Sequence, residues 1–439
     1  MLERLFKLKE HGTAVRTEVL AGLTTFLTMA YIVLVNPTIL AEAGMPMAGA
    51  AAATCLAAAF GSIMMGLFAN YPIALAPGMG LNAYFTYTVV KGMGLPWETA
   101  LGCVFISGVL FLILTFSGVR RLIVDAVPRS LYAAIAAGIG LFIAFIGLKG
   151  AGLVVANPAT TVALGDLTSP TAGLALFGLA LTGALLAWRI RAAMLVGILA
   201  TTALAWAVGA VHWTPVDYSF EALTSTALRL DIPGALGLGG RGAVIALVEI
   251  IVVFLFVDLF DNVGTLVAVT QRAGLVQPDG TIPRLNRVLA TDSAAAIVGS
   301  LAGTTTTTSY IESAAGVAAG GRTGLTAVVV GLLFLVALAF APFAQIIPAA
   351  ATAPALILVG ALMMAPLAGA DWEDPLVAIP GFLTLIAIPL TFSIANGLAF
   401  GIVSYALLKL ARGQARTADW MLYLLAVLFA ARFIWLSAG

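Results

Sequence analysis

Three acidic side chains, Asp258, Asp261 and Glu312, lie inside apolar runs of this 439-residue sequence, with no lysine or arginine near them in those runs. The first two belong to Phe254-Leu255-Phe256-Val257-Asp258-Leu259-Phe260-Asp261-Asn262-Val263-Gly264-Thr265. Their i, i+3 spacing puts both on one face of a helix. Glu312 belongs to Thr308-Ser309-Tyr310-Ile311-Glu312-Ser313-Ala314. Ionisable groups at membrane depth are costly and mark function by default. Without a basic partner, an apolar interior disfavours the charged form, so at least one of the three is expected to hold a proton part of the time. A carboxylate also offers two acceptor oxygens, which match adjacent N–H donors on a planar heterocycle. The chemistry expected is therefore binding of a neutral polar solute coupled to a proton, with Asp258, Asp261 and Glu312 as the proton-coupling candidates. Histidine is the usual proton switch, but His11 and His212 both fall outside the apolar runs.

Asn82 adds an amide within a third apolar run, and Tyr84, Phe85 and Tyr310 offer ring faces on which a base could stack. The candidate substrate-binding residues are Asn82, Ala83, Tyr84, Asp258, Asp261, Ile311 and Glu312. Each has a plainer reading: Asp258 as a structural bond to backbone, Glu312 as a helix cap, Asn82 as a brace for a broken helix, and the aromatic residues as packing. Asp292 and Glu249 lie near the ends of apolar runs and read as interfacial.

These residues need elements that bring them together. Tyr71-Pro72-Ile73-Ala74-Leu75-Ala76-Pro77-Gly78-Met79-Gly80-Leu81-Asn82 holds two prolines and two glycines, which an undisturbed helix does not accept. Gly303-Thr304-Thr305-Thr306-Thr307-Thr308-Ser309 holds five consecutive threonines, which favour an extended strand. Extended backbone at membrane depth is tolerated only where protein or a cavity covers it. Residues 74–78 and 303–308 are thus expected to be extended and to lie beside each other. Half-helices would follow each stretch and aim their N–H groups into one site. The second would start near Ser309, capped by it, with Glu312 in capping-box spacing. Gly78-x-Gly80-x-x-Ala83 superficially matches a dinucleotide fingerprint but lacks the βαβ setting that motif needs.

Composition fixes the solvent. The chain is 62% hydrophobic and 9% charged, against about 25% charged in a soluble domain, so lipid must surround much of it. A net charge of +1 and scattered basic residues argue against nucleic-acid binding. Cys55 and Cys103 sit in apolar runs without metal-ligand spacing. A spanning helix needs about 20 residues. The runs read as 18–41, 48–69, 72–90, 97–118, 130–149, 171–188, 192–211, 243–271, 285–302, 309–320, 323–341, 350–367, 375–391 and 394–411, with 419–436 as an additional apolar run. The polar N-terminus lacks the apolar core of a signal peptide, which leaves the first span as the expected insertion signal. Arg4, Lys7, Lys9 and Arg16, Arg120 and Arg121, Arg189 and Arg191, Arg272, Arg284 and Arg287, and Lys409, Arg412 and Arg416 all fall on one side if the N-terminus is cytoplasmic. Phe111-Leu112-Ile113-Leu114 to Pro128 reads like Phe334-Leu335-Val336-Ala337 to Pro348, suggesting two related halves. With seven spans each, the second half would be inverted, as in many secondary transporters.

At Ala76-Pro77-Gly78-Met79-Gly80-Leu81-Asn82-Ala83-Tyr84-Phe85, at Val257–Thr265 and at Thr308–Gly316 the sequence resembles the AzgA-like purine permeases of the nucleobase–ascorbate transporter superfamily. The resemblance runs over nearly the whole chain. It implies an all-α membrane fold of 14 spans in two inverted repeats of seven, with short extended stretches breaking spans 3 and 10. It implies a cytoplasmic N-terminus at 1–17, a core domain from 18–118 and 243–341, a gate domain from 119–211 and 342–439, and an extracytoplasmic loop at 212–242. It implies proton symport of adenine, guanine or hypoxanthine across the plasma or inner membrane by an elevator-like movement, with the proton as coupling ion, no other cofactor and no metal. The partners are then a purine base and the bilayer, with a homodimer left open. Asp261 matches the substrate-binding carboxylate of the eighth span and Glu312 that of the tenth, while Asn82 and Asp258 belong to the purine branch. Uracil-carrying relatives have a histidine where this chain has Thr265, so a relay through that histidine does not carry over. Asn262 stands where the family commonly has threonine. The alternatives are a uracil or xanthine carrier of the same fold, an anion transporter of similar architecture, whose site should favour positive charge, and a membrane-embedded enzyme, for which no Ser–His pair or metal-binding cluster is visible.

Overall fold

The computed structural model describes residues 2–117, 128–211, 218–238, 244–275, 282–416 and 419–437. Lipid leaves backbone N–H and C=O groups no partner but each other, so the apolar runs become helices. Among the described residues, nine helices are long and apolar enough to cross a membrane: Val15–Ala41, Met47–Ala69, Trp97–Ser117, Ser130–Gly150, Pro170–Ala187, Ala246–Arg272, Gly324–Ile346, Ala349–Gly369 and Ile394–Ala411. Shorter apolar helices cover Ala193–Ala207, Pro375–Thr391 and Trp420–Ala431. Leu285–Ala302 is helical too but carries Arg287 and Asp292. Several starts follow capping chemistry: Ser169, Thr323, Asp374 and Ser393 each accept an N–H from the first turn of the helix they precede.

The described chain falls into two compact units, residues 1–113 with 146–357, and residues 114–145 with 358–439. In the second, Pro375–Thr391 packs against Ile394–Ala411 where Gly397 and Gly401 admit Ile388 and Thr384. Every candidate site residue belongs to the first unit.

Four short strands occur among the described residues: β1 (Leu75–Pro77), β2 (Val154–Asn157), β3 (Thr161–Leu164) and β4 (Thr307–Ser309). β2 and β3 form a local hairpin. β1 and β4 come from opposite halves of the chain and pair antiparallel, with Leu75 opposite Ser309, Ala76 opposite Thr308 and Pro77 opposite Thr307. Gly78 N–H donates to Thr306 O at 2.9 Å and Tyr310 N–H to Ala74 O at 3.0 Å, extending the ladder at both ends. The pairing expected of the two breaks is therefore present. All six strand residues are buried, and the ladder provides the internal hydrogen bonding that lipid cannot.

Three expectations about this region change. The extended part of the threonine run is displaced toward its C-terminal end: Gly303, at φ 99°, closes helix Leu285–Ala302, and β4 begins only at Thr307. The helix expected from Ser309 starts at Ser313 and ends at Ala318, with Glu312 at the N-cap position making no side-chain cap bond. Ser309 is committed to the ladder, and the Tyr310 N–H still serves Ala74, so helical winding must wait for a turn. Asp292, expected at an interface, is fully buried in helix Leu285–Ala302. The short helices Phe220–Thr224 and Ile232–Ala235 occupy the described part of the loop 212–242; its residues 212–217 and 239–242 lie outside the described residues, as do Arg120 and Arg121.

The ends of the first unit are tied by polar contacts. Asn70, just past helix Met47–Ala69, donates to Phe6 O at 3.1 Å and accepts from Gly324 N–H at 2.7 Å. Phe6 and Leu8 pack on Leu325 there. Glu18 is fully buried at the same end and accepts N–H bonds from Arg322, Thr323 and Thr326 at 2.9, 3.3 and 3.3 Å. At the other end, Leu228 N–H donates to Leu301 O and Asp231 N–H to Glu98 O.

Candidate substrate site

The site is built where helices stop. Helical winding resumes after β1 at Met79 and continues to Gly92, while after β4 it resumes at Ser313. The two resumption points are locked to each other: Ala74 N–H donates to Ser313 Oγ at 3.0 Å, and Tyr310 OH donates to Pro77 O at 2.6 Å. A third interruption joins them. The first span has a turn at Ala30–Tyr31 between helical segments Val15–Met29 and Ile32–Ala41. Thr28 Oγ donates back to Thr25 O at 2.7 Å just before it, a bond that bends helices, and Pro37 inside the second segment cannot donate to Val33 O.

Asp258 and Asp261 both lie on helix Val244–Arg272, as expected. Asp258 is 2% exposed, whereas Asp261 is only half-buried. Asp261 stands beside the start of the first half-helix: a Cβ placed on Gly78 would lie 3.8 Å from Asp261 Oδ2 and 3.0 Å from the Thr308 methyl. Glycine at this position thus eases the packing of the half-helix start on the Thr308 methyl, with the Asp261 carboxylate at ordinary contact distance. One turn further along the same helix, Gly264 has open space around its Cα. Glu312 is half-buried at the mouth of the second half-helix and accepts a hydrogen bond from Tyr31 OH at 2.7 Å. Asp261, Glu312 and Tyr310 lie within electrostatic reach of one another. Among the described residues, no ion pair involves Asp261 or Glu312. Ile311 beside Glu312 is 49% exposed, an apolar surface next to the carboxylates.

The remaining sequence candidates lie deeper. Asn82 is fully buried and its Oδ1 accepts the Thr305 hydroxyl. Asn36 holds the neighbouring Thr304 hydroxyl at 3.0 Å and the Thr54 hydroxyl at 2.7 Å. The threonine run is thus held by amides on either side. Ala83, Tyr84 and Phe85 are buried, and the Tyr84 ring packs edge-on against Phe254 at 5.2 Å. Two contributors were not read from the sequence. Tyr31 is an aromatic residue in an apolar run with no distinguishing neighbour, and its partner is 281 positions away. Glu18 closes the polar N-terminal stretch, and nothing local indicates that it would serve helix Gly324–Ala337. No group of three or more His, Cys, Asp and Glu placed to hold a metal occurs among the described residues.

The profile of the Permease family matches residues 16–400. The chain is 46% identical to adenine permease AdeP of Escherichia coli over 438 residues, covering 100% of this chain and 97% of that one. It is 44% identical to the guanine/hypoxanthine permease PbuG of Bacillus subtilis over 448 residues, covering 99% and 100%. Among solved structures, the transmembrane domain of the cyanobacterial bicarbonate transporter BicA superposes with a TM-score of 0.63 at 14% identity, covering 88% of this chain and 97% of that one. That likeness concerns the fold.

Proposed function

The chain belongs to the Permease family; it is a multi-pass membrane transporter and not an enzyme, and from that premise we propose that it carries purine bases (adenine, guanine or hypoxanthine) together with protons. The carrying observation is the pair Asp261 and Glu312, set where two half-helices begin, within electrostatic reach and without a counter-cation among the described residues. Two carboxylates around one planar base accept its N–H donors through charge-assisted hydrogen bonds. Two ionised carboxylates this close in an apolar setting repel each other; a proton on one of them relieves this while the other still accepts from the base, so the base is held best when the proton is bound with it. Base and proton would therefore travel together. Ile311 supplies an apolar face for the ring, and Asp258 backs Asp261 from one turn below on the same helix.

The nine long helices, the shorter 193–207 and 375–391, helix 285–302 and the two broken spans make 14 crossings in this reading, arranged as two inverted sets of seven. Core and gate domains, with the boundaries given above, would slide past each other as in an elevator, the N-terminus remaining cytoplasmic in the plasma membrane. An anion carrier is disfavoured despite the shared fold, because acidic side chains rather than basic ones stand at the half-helix starts.

The test is uptake of labelled hypoxanthine, guanine and adenine into proteoliposomes with an imposed proton gradient, competed with unlabelled uracil, xanthine and bicarbonate. Accumulation that collapses with a protonophore and is displaced by purines alone is the expected result. Uptake indifferent to the protonophore or driven only by sodium would remove proton coupling, and displacement by uracil or xanthine would reassign the substrate.

A further inference from the structure

Tyr31 is placed as though to serve Glu312. It is 2% exposed and sits at the turn that interrupts the first span. Its hydroxyl donates to Glu312 Oε1 at 2.7 Å. Among the described residues no other side chain donates to Glu312, so this bond alone joins the carboxylate to a neighbouring helix. The approach is made possible by the packing beneath it: Gly316, one turn into the half-helix, lies so close to Thr25 and Ala21 of the first span that a Cβ there would collide with both. The half-helix therefore lies flat on Val15–Met29, and its N-terminal residue Glu312 is presented to the turn at Ala30–Tyr31.

We propose that Tyr31 is a positioning residue for transport: its hydroxyl fixes the rotamer of Glu312 and engages one carboxylate oxygen, which reserves the other for substrate. A glutamate has three side-chain torsions, and at this half-buried position the Tyr31 hydroxyl is the one side-chain donor among the described residues that restrains them. A phenol is suited to the task because it donates one hydrogen bond from a rigid ring with few torsions of its own, and it carries no charge that would pair with the carboxylate and hold it permanently ionised. Tyr31 acts through Glu312 and need not touch the base. This rests on reading Glu312 as a substrate-binding carboxylate.

The experiment is a double-mutant cycle on purified protein in lipid, with Tyr31→Phe, Glu312→Ala and the pair, scored by equilibrium binding of hypoxanthine, guanine and adenine; alanine is used because glutamine would still accept the Tyr31 hydroxyl. In parallel, the carboxyl infrared band of Glu312, identified by its loss in Glu312→Ala, is recorded with and without the Tyr31 hydroxyl. Tyr31→Phe should weaken base binding about tenfold, equivalent to about 1.4 kcal/mol, and should have no further effect in the Glu312→Ala background. It should also shift the Glu312 band. A general packing defect would instead weaken binding equally in both backgrounds and leave the band in place. If Glu312→Ala binds purines like the wild type, the reading of the site fails and the role of Tyr31 in transport falls with it. If Glu312→Ala is impaired while Tyr31→Phe is normal, or the two effects multiply, or the band does not move, the site stands and the positioning role is overturned.

Discussion

At the scale of single residues, the two carboxylates at the site are inequivalent. Asp261 projects from an unbroken helix toward Gly78 and the strand pair, while Glu312 sits on a turn and leans on Tyr31. Removing either charge by Asp261→Asn or Glu312→Gln keeps the shape and deletes a charge-assisted hydrogen bond worth roughly 1.5–3 kcal/mol. A loss of about 2 kcal/mol weakens base binding about thirtyfold. Both variants should remain folded and membrane-inserted yet fail to accumulate purines. They should part company in exchange assays. The residue that carries the proton, when neutralised, leaves the carrier able to swap labelled for unlabelled base without net proton movement. Glu312 is the residue expected to behave this way, because it lies at a helix interruption where water access can alternate. Counterflow of hypoxanthine in Glu312→Gln and its loss in Asp261→Asn is the pattern that checks this; concentrative uptake by both variants would remove the site altogether.

At the scale of elements, helix ends carry the design. Glu18 illustrates this away from the site: one buried carboxylate accepts the N–H groups of Arg322, Thr323 and Thr326 and the Thr326 hydroxyl, supplying the start of helix Gly324–Ala337 with an acceptor from another helix. Glu18→Ala leaves buried donors unsatisfied and should cost about 1–3 kcal/mol, seen as a lowered thermal midpoint in detergent, with Glu18→Gln less affected; an unchanged midpoint in Glu18→Ala would show the cap to be dispensable. How far such features can be read in advance depends on whether their cause is local. The two breaks were legible because Pro72, Pro77, Gly78 and Gly80, and the run Thr304–Thr308, each oppose a helix on their own. Their mutual pairing was also legible, since exposed ladder groups in lipid have few other partners. The register was not, and it is the register that displaced the second half-helix. Ser309 and Glu312 have capping-box spacing, but the ladder takes Ser309 and helical winding starts four residues later. Tyr31 on Glu312, Glu18 on Thr326 and Asn36 on Thr304 all join positions hundreds of residues apart, and spacing along the chain carries no trace of them. Asp292 reads as interfacial because it lies near the end of an apolar run, yet its side chain is fully buried within helix Leu285–Ala302.

At the scale of the whole molecule, the fold is compatible with different cargoes: the likeness to a bicarbonate transporter at 14% identity sits beside acidic rather than basic side chains at the half-helix starts. The strand pair distinguishes two ways in which the site could move. If transport separated the two half-helices to open one side and then the other, β1 and β4 would have to part. If the core instead travels as one body, the strand pair stays intact throughout the cycle. The ladder favours the second, because parting it would expose paired N–H and C=O groups where no water replaces them. Leu75 and Ser309 are direct partners in the antiparallel register, which brings their Cβ atoms to one face, and Cα separations in such pairs suit a disulfide. That face looks toward Gly61 and away from Asp261, since the Leu75 Cβ abuts Gly61 while Thr308, on the other face, abuts Gly78. Leu75→Cys combined with Ser309→Cys, in a background with Cys55 and Cys103 replaced by alanine, should therefore form a cross-link under oxidation and still take up purines, with the same rate before and after reduction. Uptake that is silent when oxidised and returns when the bond is reduced would mean that the strands separate during transport, and the one-body movement would have to be abandoned.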